Sequence, residues 1–357
     1  MKLPTIEIIF KQLASTLIAR SQRGIAVLVL RDGTDETFTT KTYRSQRELL
    51  EDRERYTAAN YQQLADAMTF TPYKLIAVRI AADGAMADAL AIVEKTVKTG
   101  WVSIVGEAED ETALIQWVKD WRIKGRTYKG LIAGTAAPND KHIVHFGNAK
   151  VTFADSRGEQ AGVQYLPSML GILASCNIER GVTNFICENL TAVQEPDDID
   201  AALNAGKLVL LNDFDDVRVP LGINSMTTTT GDDTEDMKYI DVVEAMDLIE
   251  DDIRDTFKET YQGAYKNSLD NQTLFISAVN TYFDALELQE VLDPEYDNRS
   301  DVDVAAQRAA WALEKPEADF WEDAQVRNTP YRRSVFLTGD IKILGAMENL
   351  RFTISMF

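Results

Sequence analysis

Only two histidines occur in 357 residues, which leaves little material for general acid–base catalysis. Any Ser-His-Asp or Cys-His arrangement has to use His142 or His145, and neither lies near a nucleophile elbow, since the chain contains no G-x-S-x-G. As H-x-x-H on an extended segment, their rings point to opposite faces, so both are read as structural or surface residues rather than metal ligands. Neither a G-x-x-x-x-G-K-S/T loop nor a G-x-G-x-x-G after a strand is present, so nucleotide binding has no support. Cations are scarce as well: 37 Lys and Arg face 57 Asp and Glu, and a net charge of −20 argues against direct binding of a nucleic-acid backbone. The two cysteines, Cys176 and Cys187, sit among apolar residues and read as buried thiols of a chain made in a reducing cytosol. No apolar run approaches the roughly 20 residues of a membrane helix, and Met1 to Phe10 lack the core and cleavage site of a signal peptide. The expectation is a soluble cytoplasmic product with no metal, cofactor or membrane contact.

With 45% hydrophobic residues the chain has material for sizeable cores, and its length favours two domains. Strands are expected at 25–30, 73–80, 101–105 and 128–133, alternating with helices at 57–68, 85–98 and 109–124. Thr57 is the N-cap of the first helix, and Gly100 and Gly125 close the other two. An extended pair over 142–153, a helix at 159–175, a strand at 184–187, a helix at 197–204 and a strand at 207–212 continue the pattern. Alternation of this kind implies βαβ units and a mostly parallel sheet covered on both faces, an α/β domain placed at 24–222.

From Gly222 the character becomes helical. Val242, Ala245, Met246, Ile249, Ile253 and Phe257 form one stripe of an amphipathic helix. Its opposite face carries Asp241, Glu244, Asp247, Asp251, Asp255 and Lys258, and the run Glu250, Asp251, Asp252 reads as ordinary exposed charge. A second helix presents Phe275, Ala278, Val279, Tyr282 and Leu286, with Ser268 or Asp270 as its N-cap. A helix at 303–314 ends before Pro316, and strands follow at 334–338, 341–344 and 350–356, the first two joined by a turn at Gly339 and Asp340. A further strand at 5–10 stands alone at the other end. The acidic clusters Asp213, Asp215, Asp216 and Asp293, Asp297, Asp301, Asp303 lack EF-hand spacing and read as solvated loops.

The strings VPLGINSMTTTT, DMKYIDVVEAMDLIEDDIRDTFKETYQGAYKNSLDNQTLFISAVNTYFDALE, VLDPEYDN and VDVAAQRAAW resemble the C-terminal domain of contractile-tail sheath proteins. The likeness is to the shorter sheath subunits of tailed phages and phage-tail-like bacteriocins of Gram-positive bacteria. It extends to PTIEIIFKQLA at the start and VFLTGDIKILGAMENLRFTI at the end, and is weakest between Arg31 and Asn184.

This resemblance implies a structural protein that forms stacked six-membered rings around an inner tube and contracts to drive the tube through a target envelope. It implies a subtilisin-like, non-catalytic α/β domain, an α+β C-terminal sheath domain at 223–348, and extended terminal strands within arms at 1–23 and 349–357. Thr5, Ile6, Glu7, Ile8, Ile9 and Phe10, and Leu350, Arg351, Phe352, Thr353, Ile354, Ser355 and Met356, are then strands shared with neighbouring copies by β-augmentation. Lys258, Lys266, Arg327, Arg332 and Arg333 are candidate tube-facing cations in an otherwise acidic chain. The implied partners are further copies of the chain, the tail tube, the baseplate and the tail terminator, with no direct nucleic acid. The implied location is a virion tail or tail-like particle made in the host bacterial cytoplasm. The competing reading is an α/β hydrolase-like enzyme.

Overall fold

The computed structural model describes residue 18 and residues 23–176 and 180–354. These fall into two units, one from Arg23 to Asp251 that also takes in the stretch from Gly345, the other Asp252–Leu344. The boundary expected at 222/223 thus lies inside the first unit.

The first unit is organised on β1 (Ile25–Arg31), a continuous apolar run of the kind a strand covered on both faces requires. In chain order β2 (Thr40–Tyr43), α1 (Gln46–Glu51), α2 (Ala58–Thr69), β3 (Lys74–Ile80), α3 (Met86–Thr96) and β4 (Thr99–Ile104) follow. Then come α4 (Ala108–Ile123), β5 (Thr127–Ile132), β6 (Ile143–Phe146), β7 (Lys150–Phe153), β8 (Glu159–Ala161) and α5 (Leu166–Ser175). The unit continues through β9 (Leu190–Val193), α6 (Ile199–Asn204), β10 (Lys207–Leu208), β11 (Leu211–Asp213) and β12 (Asp216–Arg218) to α7 (Ile240–Thr256), within which the boundary falls. The main sheet has seven strands in the order β10-β6-β5-β4-β1-β3-β2, parallel except for the antiparallel edge strand β2.

Strand alternation sorts the core into two layers. Ala26, Leu28, Leu30, Leu75, Ala77, Val144 and Phe146 meet α2 and α5 on one face. Val27, Val29, Ile76, Val78, Val102 and Ile143 meet α3 and α4 on the other. Gly171 lets α5 approach α2 closely, since a Cβ there would lie 2.2 Å from the Ala67 carbonyl oxygen. Thr57 caps α2 as expected, accepting from the Asn60 amide, and Gly125 at φ +73° ends α4. Gly100 does not close a helix; it lies within β4, where a Cβ would stand 3.0 Å from the Ile25 carbonyl oxygen, and α3 ends at Val97.

Further departures share one cause, which is that short strands take their identity from partners remote in sequence. β6 and β7, read as a pair, lie in different sheets, β7 joining β8 and β9. The start of the helix expected at 159–175 is β8 followed by a 3-10 turn. Residues 184–187 form only a bridge, Ile186 to Arg218, and the strand at 207–212 divides into β10 and β11. Cys176 and Cys187 are free, and burial pushes the Cys187 thiol up to about 12.

The acidic face of α7 is not a solvent face. Asp247 and Asp251 are 1% and 3% exposed, and the residues around them come from the α/β sheet and its flanks. Glu244 accepts from the Trp101 indole at 2.9 Å and from Lys129, whose ammonium also lies over the Trp101 ring. Asp247 takes His142 Nε2 at 2.9 Å and lies 3.6 Å from Lys129, while Asp251 takes Thr127 Oγ1 at 2.5 Å and Arg23 at 3.1 Å. Glu250 pairs with Arg122 at 2.7 Å. On the same helix Val243, Ala245 and Leu248 are buried as well, so over these turns α7 has little free surface.

Both histidines are structural. Burial alone would lower the His142 pKa, but the Asp247 charge and hydrogen bonds with Asp140 and Asp247 hold it at about 9, so the ring is cationic at neutral pH. Asp247 is raised by burial yet held well below the carboxylate range by His142, Lys129 and Arg23. His145 points the other way, its Nε2 2.7 Å from the Gly134 carbonyl, and burial keeps it neutral by lowering its pKa.

The second unit contains the end of α7, a π-helical turn Phe257–Tyr261, α8 (Leu269–Glu287), β13 (Arg299–Val302), α9 (Val304–Ala312), α10 (Asp323–Arg327) and β14 (Leu337–Asp340). Ser268 caps α8, and Asp303 caps α9. Phe275 packs against Phe257 and Tyr261 at centroid distances of 5.3 and 4.7 Å, and Tyr282 donates to the buried Asp252 at 2.7 Å. Gly339 and Asp340 are not a turn but part of β14, paired with Ser300 and Arg299. Residues 341–344 form only a bridge from Ile343 to Leu292.

Two measurements check this packing. Gly171→Ala should lower unfolding stability by about 2 kcal/mol, because the obstructing atom is helix backbone that has to shift. A folded-state pKa raised from 6.5 to about 9 gives His142 a stabilisation present in full below pH 6.5 and lost as pH rises through 9. Asp247, depressed from 3.8, contributes above that value and loses its contribution as pH falls below it. The unfolding free energy from urea titration should therefore decline between pH 6.5 and 9, by at most about 3 kcal/mol, and His142→Gln should flatten that slope. A wild-type profile that is flat across this window would show that the His142–Asp247 pair does not act as described.

Candidate inter-subunit surfaces

After Leu344, whose amide donates to the Val291 carbonyl at 3.0 Å, the chain leaves the second unit. Two contacts then hold it on the first: the Ala346 amide to Asp241 Oδ2 at 3.2 Å, and Thr183 Oγ1 to Glu348 Oε1 at 2.8 Å. Thr183 Oγ1 also accepts from the Gly222 amide at 2.9 Å, which ties this anchor to the loop ahead of α7. Beyond the anchor, Leu350, Arg351, Phe352, Thr353 and Ile354 belong to no strand, and Leu350, Phe352 and Ile354 are 89%, 75% and 72% exposed. A strand is defined by its partner, and this segment has none within the described residues. Thr5 to Phe10, Ser355 and Met356 lie outside the described residues.

The five candidate tube-facing cations divide into two kinds. Arg327, at the end of α10, forks onto Asp301, and that hydrogen bond, opposed by burial, holds the Asp301 carboxyl below its ordinary range. Arg332 pairs with Glu314. Lys258, Lys266 and Arg333 are exposed. Asn267, which sequence reasoning did not single out, gathers part of this set: its Nδ2 donates to the carbonyls of Tyr331, Arg332 and Ser334 at 3.0 to 3.3 Å. Lys266, Arg332 and Arg333 are thereby placed on neighbouring loops. A partly buried carboxamide bridging two loops leaves no periodic signal in the sequence.

The acidic clusters lie on largely exposed segments, as expected, and several of their carboxylates also pair with cations of the chain itself. Arg218 pairs with Asp213 and Asp216, Lys342 with Asp293, Arg299 with Asp297, and Asp303 is a helix cap. Among the described residues no group of His, Cys, Asp or Glu is placed to hold a metal ion, and no helix is long and apolar enough to cross a membrane.

The place where an α/β sheet ordinarily carries a ligand is the crevice where strand order reverses, here at the C-terminal end of β1 beside β4. Arg31 reaches across it to Asp110 at 2.6 and 2.7 Å and to the Gly84 carbonyl at 3.0 Å. Asp32 accepts from the amides of Thr34 and Thr57 and from Asn60. These polar groups satisfy one another.

Residues 232–357 match the phage tail sheath C-terminal domain family. The whole chain is similar to the tail sheath protein of Clostridium phage phiCD119, with 26% identity and 99% of each chain aligned. In fold it is similar to the sheath tail protein of Desulfitobacterium hafniense, with TM-score 0.71, 15% identity, and coverage of 84% of this chain and 94% of that one. It also matches the helical sheath of the anti-feeding prophage in its contracted state, with TM-score 0.70, 12% identity and 99% of both chains covered. The contracted sheath complex of an extracellular contractile injection system, PVC, gives 0.68, 11%, and 99% and 98%. At these identities the solved structures establish the fold, which is mixed α/β throughout. The resemblance to contractile-tail sheath proteins, strongest in the last third of the sequence, therefore extends over 99% of the chain, and residues 232–357 match the sheath C-terminal domain.

Proposed function

We propose that the chain is the structural subunit of a contractile tail sheath, polymerising as stacked hexameric rings around an inner tube and contracting to drive that tube through a target cell envelope. The observation that carries this reading is the alignment with a phage tail sheath protein over 99% of each chain. The seven-stranded unit is then a subtilisin-like layer without a catalytic role, and the hydrolase alternative draws no support from the two histidines, which bond to Asp247 and to the Gly134 carbonyl. The tube, baseplate and terminator of a virion tail or tail-like particle are its partners, and the host bacterial cytoplasm is where it is made.

In this reading residues 1–23 and 349–357 are arms, and Thr5 to Phe10 and Leu350 to Met356 are strands donated to neighbouring copies. The support is the arrangement at the C-terminus, where a polar anchor at Ala346 and Glu348 is followed by three apolar side chains standing in water at alternate positions. Adding such a segment to a neighbour's sheet buries one face and completes its backbone hydrogen bonds, each worth about 1 kcal/mol net. Linkage to several neighbours multiplies a modest strand into a durable lattice. The folded bodies move as rigid units between an extended and a contracted lattice while the arms keep them joined.

Electron microscopy of the purified chain should show ordered sheath-like polymers; a strictly monomeric protein with hydrolase activity would favour the alternative. Removal of 349–357, or of 1–12, should leave a folded monomer, and long sheaths from either truncation would disprove the assignment of that arm. Charge reversal at Lys266 and Arg333 should weaken co-assembly with tubes without altering thermal stability. Arg327→Ala, which breaks a half-exposed ion pair, should instead cost about 1 kcal/mol of stability. Normal assembly on tubes by the Lys266→Glu/Arg333→Glu variant would remove those residues from the tube contact.

A further inference from the structure

The hairpin β11–β12 turns on two residues, Phe214 and Asp215, between the paired Asp213 and Asp216. Phe214 has φ +54°, in the left-handed region that hairpin loops normally assign to Gly, Asn or Asp. A bulky residue there is a backbone outlier. Its ring is fully exposed, at 103% of the reference accessibility. Among the described residues nothing offsets either the strained backbone or the apolar ring left in water, and a local strain of this kind points to a role outside the chain.

The same unit carries a surface pocket of about 240 Å³, walled by Leu203, Leu221, Ile223, Met226 and Tyr239 with Lys238 among its lining residues. Its volume accommodates a benzyl side chain. Lys238 is held by Glu235 in an i,i+3 pair whose carboxylate is 73% exposed, a weak surface interaction that an incoming anion displaces at little cost. On the hairpin, Arg218 occupies Asp213 and Asp216, and Asp215 is the exposed carboxylate beside the ring. An aromatic knob with an adjacent anion thus faces a socket whose apolar wall is rimmed by Asn204, Asn224, Thr227 and the Glu235–Lys238 pair, in which Lys238 is the cation an incoming carboxylate would meet, and Phe214 of the same chain does not occupy it.

We propose that Phe214 of one copy inserts into this pocket on a second copy of the chain, with Asp215 against Lys238. The contact rests on the sheath reading and adds to it a specific inter-subunit joint apart from the terminal arms. Because knob and socket are different patches, it is a head-to-tail contact, which propagates into a helix when the rotation does not close.

Phe214→Gly relieves the strain, so the unassembled variant should unfold a few degrees higher than wild type. Its critical concentration for sheath formation should nevertheless rise about tenfold or more, as expected for loss of a buried aromatic anchor. An Asp215→Cys/Lys238→Cys variant, which keeps the Phe214 knob, oxidised after assembly, should give an inter-chain ladder on non-reducing gels that neither single variant gives. Unchanged assembly of Phe214→Gly, or sheaths of the double variant without a ladder, would overturn the joint while leaving the sheath reading intact. A wild-type chain that forms no ordered polymer would overturn the sheath reading and the joint with it.

Discussion

Four acidic side chains on one helix, set against four cations from the sheet and its flanks, form the interaction on which the first unit depends. Glu244, Asp247, Glu250 and Asp251 meet Arg23, Arg122, Lys129 and His142, and Asp247 is fully enclosed. Buried charges of this kind hold a helix in one register and one rotation, because a displaced carboxylate would face a desolvated environment without its cation. An apolar interface of the same area would tolerate sliding. The arrangement makes the start of α7 part of the α/β unit rather than of the helices that follow it, which is why the unit extends past residue 222 to Asp251.

The same residues mark where sequence reading succeeds and where it stops. The period of Val242, Ala245 and Ile249 identifies a helix, and the helix is there. Periodicity also assigns the opposite, acidic face to solvent, since isolated carboxylates are almost never buried. That inference fails because the compensating cations are scattered over more than a hundred positions, from Arg23 to His142, and only the fold brings them to one place. The strands of the main sheet were legible for the converse reason: their signal is a contiguous apolar run such as Ile25–Arg31, which needs no distant partner to be recognised. Short strands such as β8, β11 and β14 carry no such run, and their register comes from the strand across the ladder.

The candidate assembly surfaces behave alike. A segment such as Leu350 to Ile354 has strand-like alternation but no partner within the described residues of a single chain, so its apolar side chains stand in water. Phe214 presents the same imbalance in a tighter form, with strain added to exposure. In both places, among the described residues, surface and backbone groups that folding ordinarily buries stand in water. In the sheath proposed above, such deficits are where neighbouring copies would meet, and chemical motifs are the wrong signal to look for.

By itself, the sequence determined the alternation of strands and helices, the cap at Thr57, the scarcity of catalytic groups and the resemblance to sheath proteins, because each of these is written in neighbouring residues or in long contiguous strings. Tertiary structure alone decided which charges are buried, where the first unit ends, which cations of the second unit are exposed and which are consumed by Asp301 and Glu314, and that Phe214 stands free on its hairpin. Those outcomes depend on residues far apart in the chain. Desolvation and pairing energies belong to the assembled environment, and no local pattern encodes them.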